Sequence, residues 1–350
     1  MIPKTSGQVG WQSPANIALV KYWGKHPVQL PMNPSVSFVL KESVVRIRMD
    51  YSIDPADQFN LNAFTLNGNE NPAFADRIAD YLRSLAGFFP FLAHARLNIT
   101  SESTFPHSAG IASSAAAFSA LALCICQIDA IIREEPVDDE TFFRKASEMA
   151  RLGSGSACRS VYDGFTLWGE TTEVHGSSDE YAIRLNDQFI HKAFSSIRDS
   201  VLIVDNSTKK VSSSAGHTLM DQHPYRPARI KQAEMNLIKL LTTLRNGDIQ
   251  TFGEIIENEA LSLHGLMLSS NPGYILMHPH TINILNKIRE FRQANQSQVY
   301  FTLDAGPNVH LIYPEKETKA VTSLIQNELA GYCQNRQWID DALGNGPCMI

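Results

Sequence analysis

Paired cysteines are missing from this sequence. Its 350 residues hold five cysteines with no paired spacing, and Cys124 and Cys126 lie in an apolar stretch where buried thiols are ordinary. A disulfide framework is therefore not expected, and a reducing, cytoplasmic setting is. An excess of positive charge is missing too: 30 Lys and Arg against 36 Asp and Glu leave a net charge of −6. That balance argues against a broad nucleic-acid surface, so an anionic ligand would have to be held by a few placed residues. The start, "MIPKTSGQVGW", lacks a basic segment followed by an apolar core, and the longest apolar stretch, 117–132, is broken by Ser119, Gln127 and Asp129. Neither a secretion signal nor a membrane partner is expected. The "HPH" of residues 278–280 has no further His or Cys at ligand spacing, which argues against a metal caged by protein. Repeats and low-complexity tracts are likewise lacking.

What is present is a large apolar reserve. The chain is 43% hydrophobic and longer than the roughly 250–300 residues at which single cores divide, so two domains are expected. Val45, Ile47, Met49, Tyr51 and Ile53 alternate with polar residues, the period of a half-buried strand. Phe74, Ile78, Tyr81, Leu82 and Leu85 recur at helical spacing behind Asn71-Pro72, a cap and first-turn proline. "RLNITSES", "GFTLWGE" and "VLIVDNS" read as strands. Ile230 to Leu244 and Leu285 to Phe291 carry helical periodicity, "QVYFTL" and "NVHLIY" form a strand pair around "DAGP", and Val321, Leu324 and Ile325 suggest a last helix. The expectation is an α+β chain of two units, 1–195 and 196–350, with the site in the cleft between them.

Five stretches could carry chemistry. "FPHSAGIASSAAAFSALALCICQI", residues 105–128, is small and uncharged before it turns apolar. Such a stretch lets backbone N–H groups approach a ligand closely, and with Ser113 or Ser114 as N-cap it would present a helix N-terminus to phosphate; an Ala-rich core helix with a flexible lead-in is the plainer alternative. "SPANIALVKYWGK" places Lys21 and Lys25 four apart, either as site cations or as solvated lysines at a strand end. "RLGSGSACRS" repeats Gly-Ser pairs ahead of Arg159; it could hold oxyanions with an arginine clamp or be a turn before a helix. "VSSSAG", 211–216, is a weaker loop of the same kind. In "FTLDAGPN", Asp304 ends an apolar strand where a scaffold would project a catalytic group; an Asx-turn is its rival. His107 could donate to a phosphate or pack on its loop, and Cys158 is read as packing because no base is identifiable beside it.

Together "SPANIALVKYWGK", "NPSVSF", "FPHSAGIASSAA", "RLGSGSACRSVYDGF" and "FTLDAGPN" resemble, in order and spacing from about Gly10 to Tyr313, the mevalonate diphosphate decarboxylases of the galactokinase, homoserine kinase, mevalonate kinase and phosphomevalonate kinase superfamily. The resemblance implies a two-domain small-molecule-kinase-like fold, with a ribosomal S5 domain 2-like N-terminal domain. It also implies conversion of mevalonate 5-diphosphate to isopentenyl diphosphate with ATP and Mg2+, by a homodimer. Asp304 would orient or deprotonate the 3-hydroxyl, Lys21 would stabilise the transferring phosphoryl group, and Arg159 would grip the carboxylate. Pro106, His107, Ser108, Ala109, Gly110, Ile111, Ala112, Ser113 and Ser114 would wrap the ATP phosphates, Ser113 or Ser114 meeting the metal and Ser114 acting in catalysis. Tyr22, Lys25, Ser154, Gly155, Ser156 and Ser213 would line the substrate's diphosphate and carboxyl ends. Departures from the family pattern are the short "HPVQ" after Lys25, Asn69 where an arginine is common, with Arg77 the nearest substitute, His107-Ser108 in the ATP loop, and His217 in place of an apolar residue. A mevalonate 5-phosphate decarboxylase, a mevalonate 3-kinase and a catalytically silent sensor on the same scaffold are the other readings. Retention of both Lys21 and Asp304 favours decarboxylation.

Overall fold

The computed structural model describes residues 4–106, 113–137, 139–207, 211 and 213–350, the side chains of 213 and 214 not among them. Two sheets organise the chain. In the first, Thr5–Val20 runs antiparallel to Ser35–Ile53, which runs antiparallel to Ala95–Ser103; Asn60–Leu66 adds parallel to the last and Asn69–Glu70 closes that edge. Phe165–Trp168 pairs with the start of Ser35–Ile53, and Ala182–Arg184 pairs with Phe165–Trp168. The second sheet is antiparallel, in the order Tyr300–Thr302, Val309–Pro314, Ile197–Leu202, Trp338–Ala342.

The alternation over residues 45–53 is realised: Val45, Ile47, Met49, Tyr51 and Ile53 are buried while Arg48, Asp50 and Ser52 are exposed. The helices are α1 (Pro72–Ser84), α2 (Ser113–Arg133), α3 (Glu140–Gly153), α4 (Ser213–Thr218), α5 (Arg226–Asn246), α6 (Ile249–Ser269), α7 (Pro279–Asn295) and α8 (Thr318–Leu324). Local chemistry sets several ends. Asn71 accepts from the Phe74 N–H at 3.1 Å to start α1, Asp139 accepts from Phe142 at 2.7 Å to start α3, and Gly247, at φ 77°, ends α5 in the left-handed conformation glycine adopts without strain. "HPH" is a helix start: the Nδ1 of His278 accepts from the His280 N–H at 3.1 Å, and no cluster of three metal-ligating side chains exists among the described residues.

α2 is apolar all round, and such a helix must be buried. By length and hydropathy it could cross a bilayer, yet 83% of its most apolar window is buried inside the protein, against the first sheet and α3. Gly153 permits the α3 contact, since a Cβ there would stand 2.2 Å from the Phe118 ring.

Three expectations are corrected. Ser113 and Ser114 form the first turn of α2 and do not precede it. "RLGSGSACRS" follows a helix: Phe142, Ala146, Met149 and Ala150 bury one face of α3, and the loop becomes a 3-10 turn, Gly155–Val161. Residues 348–349, assigned to the second unit by a division at 195, pair with Trp11 and Gln12 in the first sheet. One apolar cluster also runs across both sheets, joining Phe38 and Ile47 to Ile197, Leu240, Phe252 and Ile312. Helix α6, which no element of the sequence reading anticipates, sits in that junction and positions the site.

Candidate active site

Lys21 follows directly on the long first strand, which carries it into the seam between the sheets. It is buried, and its Nζ donates to Asp304 Oδ1 at 2.9 Å. The solvated-lysine alternative is thus removed for Lys21. Burial pulls its pKa below the ordinary lysine value, opposed by the charges of Asp304 and Glu259, which favour the ammonium form.

Asp304 leaves the strand Tyr300–Thr302 in a turn held at three points. The Gly306 N–H donates to the Asp304 carbonyl at 2.7 Å, His264 Nε2 on α6 donates to the same carbonyl at 3.0 Å, and Asn308 Oδ1 accepts from the backbone of Val204 and Asp205 at 2.7 and 3.0 Å. The side chain stays a quarter exposed, open to a ligand on one side and to Lys21 on the other.

Arg159 is buried behind them. Its Nη1 donates to Ser35 Oγ at 2.6 Å and its Nε to Asn16 Oδ1 at 3.2 Å, and its guanidinium lies 5.9 Å from the Trp168 ring centroid. Among the described residues no carboxylate pairs with it, and burial lowers its pKa. A desolvated cation held by neutral partners is poised for an anionic one. Asn16 also donates to the Ser156 carbonyl at 3.1 Å and to Ser160 Oγ at 2.8 Å, so the first strand and the glycine-serine turn are stitched together. Ser154 Oγ meets Ser114 Oγ at 3.4 Å, bringing the start of α2 to that turn. Gly155 is there for space: a Cβ would lie 2.8 Å from the Tyr22 hydroxyl and 2.9 Å from the Trp168 ring. Cys158 is buried and its thiol is pushed up to about 12, chiefly by burial, as fits a packing role.

Tyr22 packs between Trp168 and His217, ring centroids 4.6 and 4.4 Å away. Burial raises its phenol, and its hydroxyl has no hydrogen-bond partner among the described residues. Lys25 is less enclosed. Its Nζ donates to Gln29 Oε1 at 3.0 Å, and its pKa is lowered by burial and by the nearby charge of Arg77. Arg77 reaches over from α1 with its guanidinium 4.7 Å from the Phe118 ring centroid. The short "HPVQ" turn is what brings Gln29 back to Lys25, with Val28 and Gln29 both left-handed at φ 60° and 62° and the Val28 carbonyl accepting from Arg151.

His217, on α4, stacks on Trp23 as well as Tyr22, and its Nδ1 accepts from the Gly24 N–H at 3.0 Å. Burial, with the charges of Lys25 and Arg159, lowers its pKa from 6.5 to about 3. The unfolded chain therefore takes up this proton first. The neutral ring contributes its stability in full above pH 6.5 and loses it as pH falls toward 3, by about 1.4 kcal/mol per pH unit. His217→Phe is expected to give a melting temperature that falls less between about pH 6.5 and 4 than that of the wild type; equal slopes in thermal melts would refute this account of His217.

The structure thus brings together Lys21, Tyr22, Lys25, Ser114, Ser154, Gly155, Arg159 and Asp304. His107, Ser108, Ala109, Gly110, Ile111 and Ala112 lie outside the described residues, as does the Ser213 side chain; Pro106 precedes the first and Ser113 opens α2. Asn16, Ser35, Arg229, Glu259 and His264 belong to the site and escape the sequence reading. Asn16 could have been found, since it stands inside "SPANIALVKYWGK". Glu259 lies 238 residues from Lys21 in sequence and carries no local signal.

Two α+β units meeting over a buried lysine paired with a partly exposed aspartate, flanked by an arginine that has no carboxylate partner among the described residues, define a small-molecule-kinase-like protein. Within that class the chain belongs to the diphosphomevalonate decarboxylase family. Residues 13–182 match the model of the diphosphomevalonate decarboxylase-like N-terminal domain and residues 200–344 that of the mevalonate 5-diphosphate decarboxylase C-terminal domain. The diphosphomevalonate decarboxylase of Candida albicans is 30% identical over 89% of this chain and 86% of its own. The mevalonate diphosphate decarboxylase of Staphylococcus aureus superposes with a TM-score of 0.83 at 27% identity, covering 99% of this chain and 98% of that one. The complex of MDDEF with MVAPP, AMPPCP and magnesium gives a TM-score of 0.82 at 25% identity over 99% of each chain.

Proposed function

We propose that this chain decarboxylates mevalonate 5-diphosphate with ATP, releasing ADP, phosphate, carbon dioxide and isopentenyl diphosphate. The observation that carries the reading is the Lys21–Asp304 contact at 2.9 Å, with Arg159 buried beside it. A tertiary hydroxyl is a poor leaving group. Asp304 orients it and takes its proton as the oxygen attacks the γ-phosphorus of ATP, and the bond to ADP breaks. Lys21 offsets charge on the transferring group. The C3–O bond then breaks and phosphate leaves; the electrons of the C1–C2 bond form the new alkene and C1 departs as carbon dioxide. Arg159 holds the carboxylate until that moment.

Magnesium fits this donor set as a companion of the nucleotide: it binds through substrate phosphates and retained waters more readily than in an all-protein cage. The hydroxyl of Ser113 or Ser114, in the first turn of α2, would hold it, and when bound it supplies charge neutralisation at the phosphates. All five cysteines are free thiols, which suits the cytoplasm, and a homodimer without nucleic-acid or membrane partners accords with the family resemblance.

ADP, phosphate and carbon dioxide are expected in equal amounts from mevalonate 5-diphosphate, because each turnover spends one ATP on one leaving group. The three products can be quantified in one reaction. A stable 3-phosphorylated product without carbon dioxide would make the chain a 3-kinase, and ligand binding without turnover a sensor.

A further inference from the structure

Lys21 is held at its backbone as well as at its ammonium. Its N–H donates to Glu259 Oε2 at 2.8 Å, and its carbonyl accepts from Arg229 Nη2 and Asn33 Nδ2, each at 3.0 Å. Glu259 and Arg229 form a bidentate pair, Nη1 to Oε1 at 2.7 Å and Nη2 to Oε2 at 2.6 Å, and Asn236 Nδ2 adds a bond to Oε1 at 2.7 Å. Both charged side chains are buried, 2% and 0% exposed. A buried ion pair is a poor way to gain stability, since desolvation offsets its attraction, and residues of similar volume but no charge often do as well. Its geometry has another use here. Five residues beyond Glu259 on α6, His264 donates to the Asp304 carbonyl. One helix therefore grips the backbones of both members of the Lys21–Asp304 pair, one from each sheet.

We propose that Glu259, with Arg229, is a positioning residue for the reaction: it fixes the Lys21 backbone so that the ammonium points at the reacting centre beside Asp304. The proposal rests on the functional reading above. The charged groups facing Lys21 are Asp304, Glu259, Arg229 and Arg159, and of these Glu259 and Asp304 favour the ammonium.

The test is carbon dioxide release by the full-length chain with ATP, magnesium and mevalonate 5-diphosphate, expressed per folded site counted by nucleotide binding. In Glu259→Gln, kcat is expected to fall about 10- to 100-fold, as for a reacting group misplaced by about an ångström, while KM for both substrates stays within about threefold. The alkaline limb of the kcat profile should move to lower pH, because removing the Glu259 charge lets Lys21 lose its proton sooner. Asn236→Leu, which removes the Asn236 bonds to Glu259 and Asn258 and leaves both charges, should lower kcat several-fold with the limb in place. A merely structural role would lower the melting temperature and the folded fraction but leave kcat per folded site and the limb unmoved, and that result overturns the proposal. If Glu259→Gln does not fold, wild-type kcat in Asn236→Leu overturns it equally. The wild type, assayed alongside, separates the two claims: no carbon dioxide from it refutes the functional reading, whereas an active wild type with an unaffected variant refutes only the positioning role.

Discussion

Asp304→Asn is expected to reduce turnover by about 10² to 10⁴, the range of general-base assistance, while leaving nucleotide and substrate binding largely intact. The substitution keeps the shape of the side chain and removes its charge and basicity. The turn is expected to survive it, because the bonds from His264 to the Asp304 carbonyl and from Val204 and Asp205 to Asn308 do not involve the substituted group. The loss reaches past the base itself. Lys21 is 2% exposed, so without its counter-ion the ammonium becomes an uncompensated buried charge and its pKa drops further. Single-turnover measurements of ADP formation, with binding followed separately, decide the matter; near-normal turnover would remove Asp304 from the mechanism.

The second large effect concerns the far end of the substrate. Lys25 and Arg77 lie near one another with their charges interacting, and neither is in an ion pair with a carboxylate among the described residues. Two cations gathered without counter-ions suit a diphosphate, and binding energy remote from C3 can support the chemical step as well as affinity. Hydrogen bonds to charged groups are each worth roughly 1.5 to 3 kcal/mol. Losing two with the terminal phosphate would cost about 3 to 6 kcal/mol, or about two to four powers of ten in kcat/KM. Mevalonate 5-diphosphate is therefore expected to be preferred over the 5-phosphate by that margin, and Lys25→Ala to narrow the gap. Equal or better use of the monophosphate in steady-state kinetics would reassign the substrate.

The structure also alters what the family departures mean. The short "HPVQ" turn does not simply delete a contact; it bends Gln29 onto Lys25. Arg77, on the helix that follows Asn69, lies near enough to Lys25 for its charge to lower the lysine's pKa. His217 stacks, neutral, between Tyr22 and Trp23 and accepts a bond from the Gly24 backbone.

Period-two alternation over residues 45–53, the Asn71-Pro72 helix start and the Ala-rich beginning of α2 were legible because each is a local relation, with cause and consequence within a few residues. The motif residues Lys21, Arg159 and Asp304 were legible for the same reason, as residue types in an ordered set of short stretches. What the sequence could not reveal is which motif residues are desolvated and what meets them. The two lysines of "KYWGK" look alike in sequence, yet one is sealed beside Asp304 and the other faces Gln29 near the surface. The Glu259–Arg229 clamp lies in helices whose own patterns report only burial, and its bond to Lys21 joins residues 238 positions apart. Periodicity encodes which face of an element turns inward; the partners waiting there are chosen by how two sheets close on α6, and only the folded chain makes that choice.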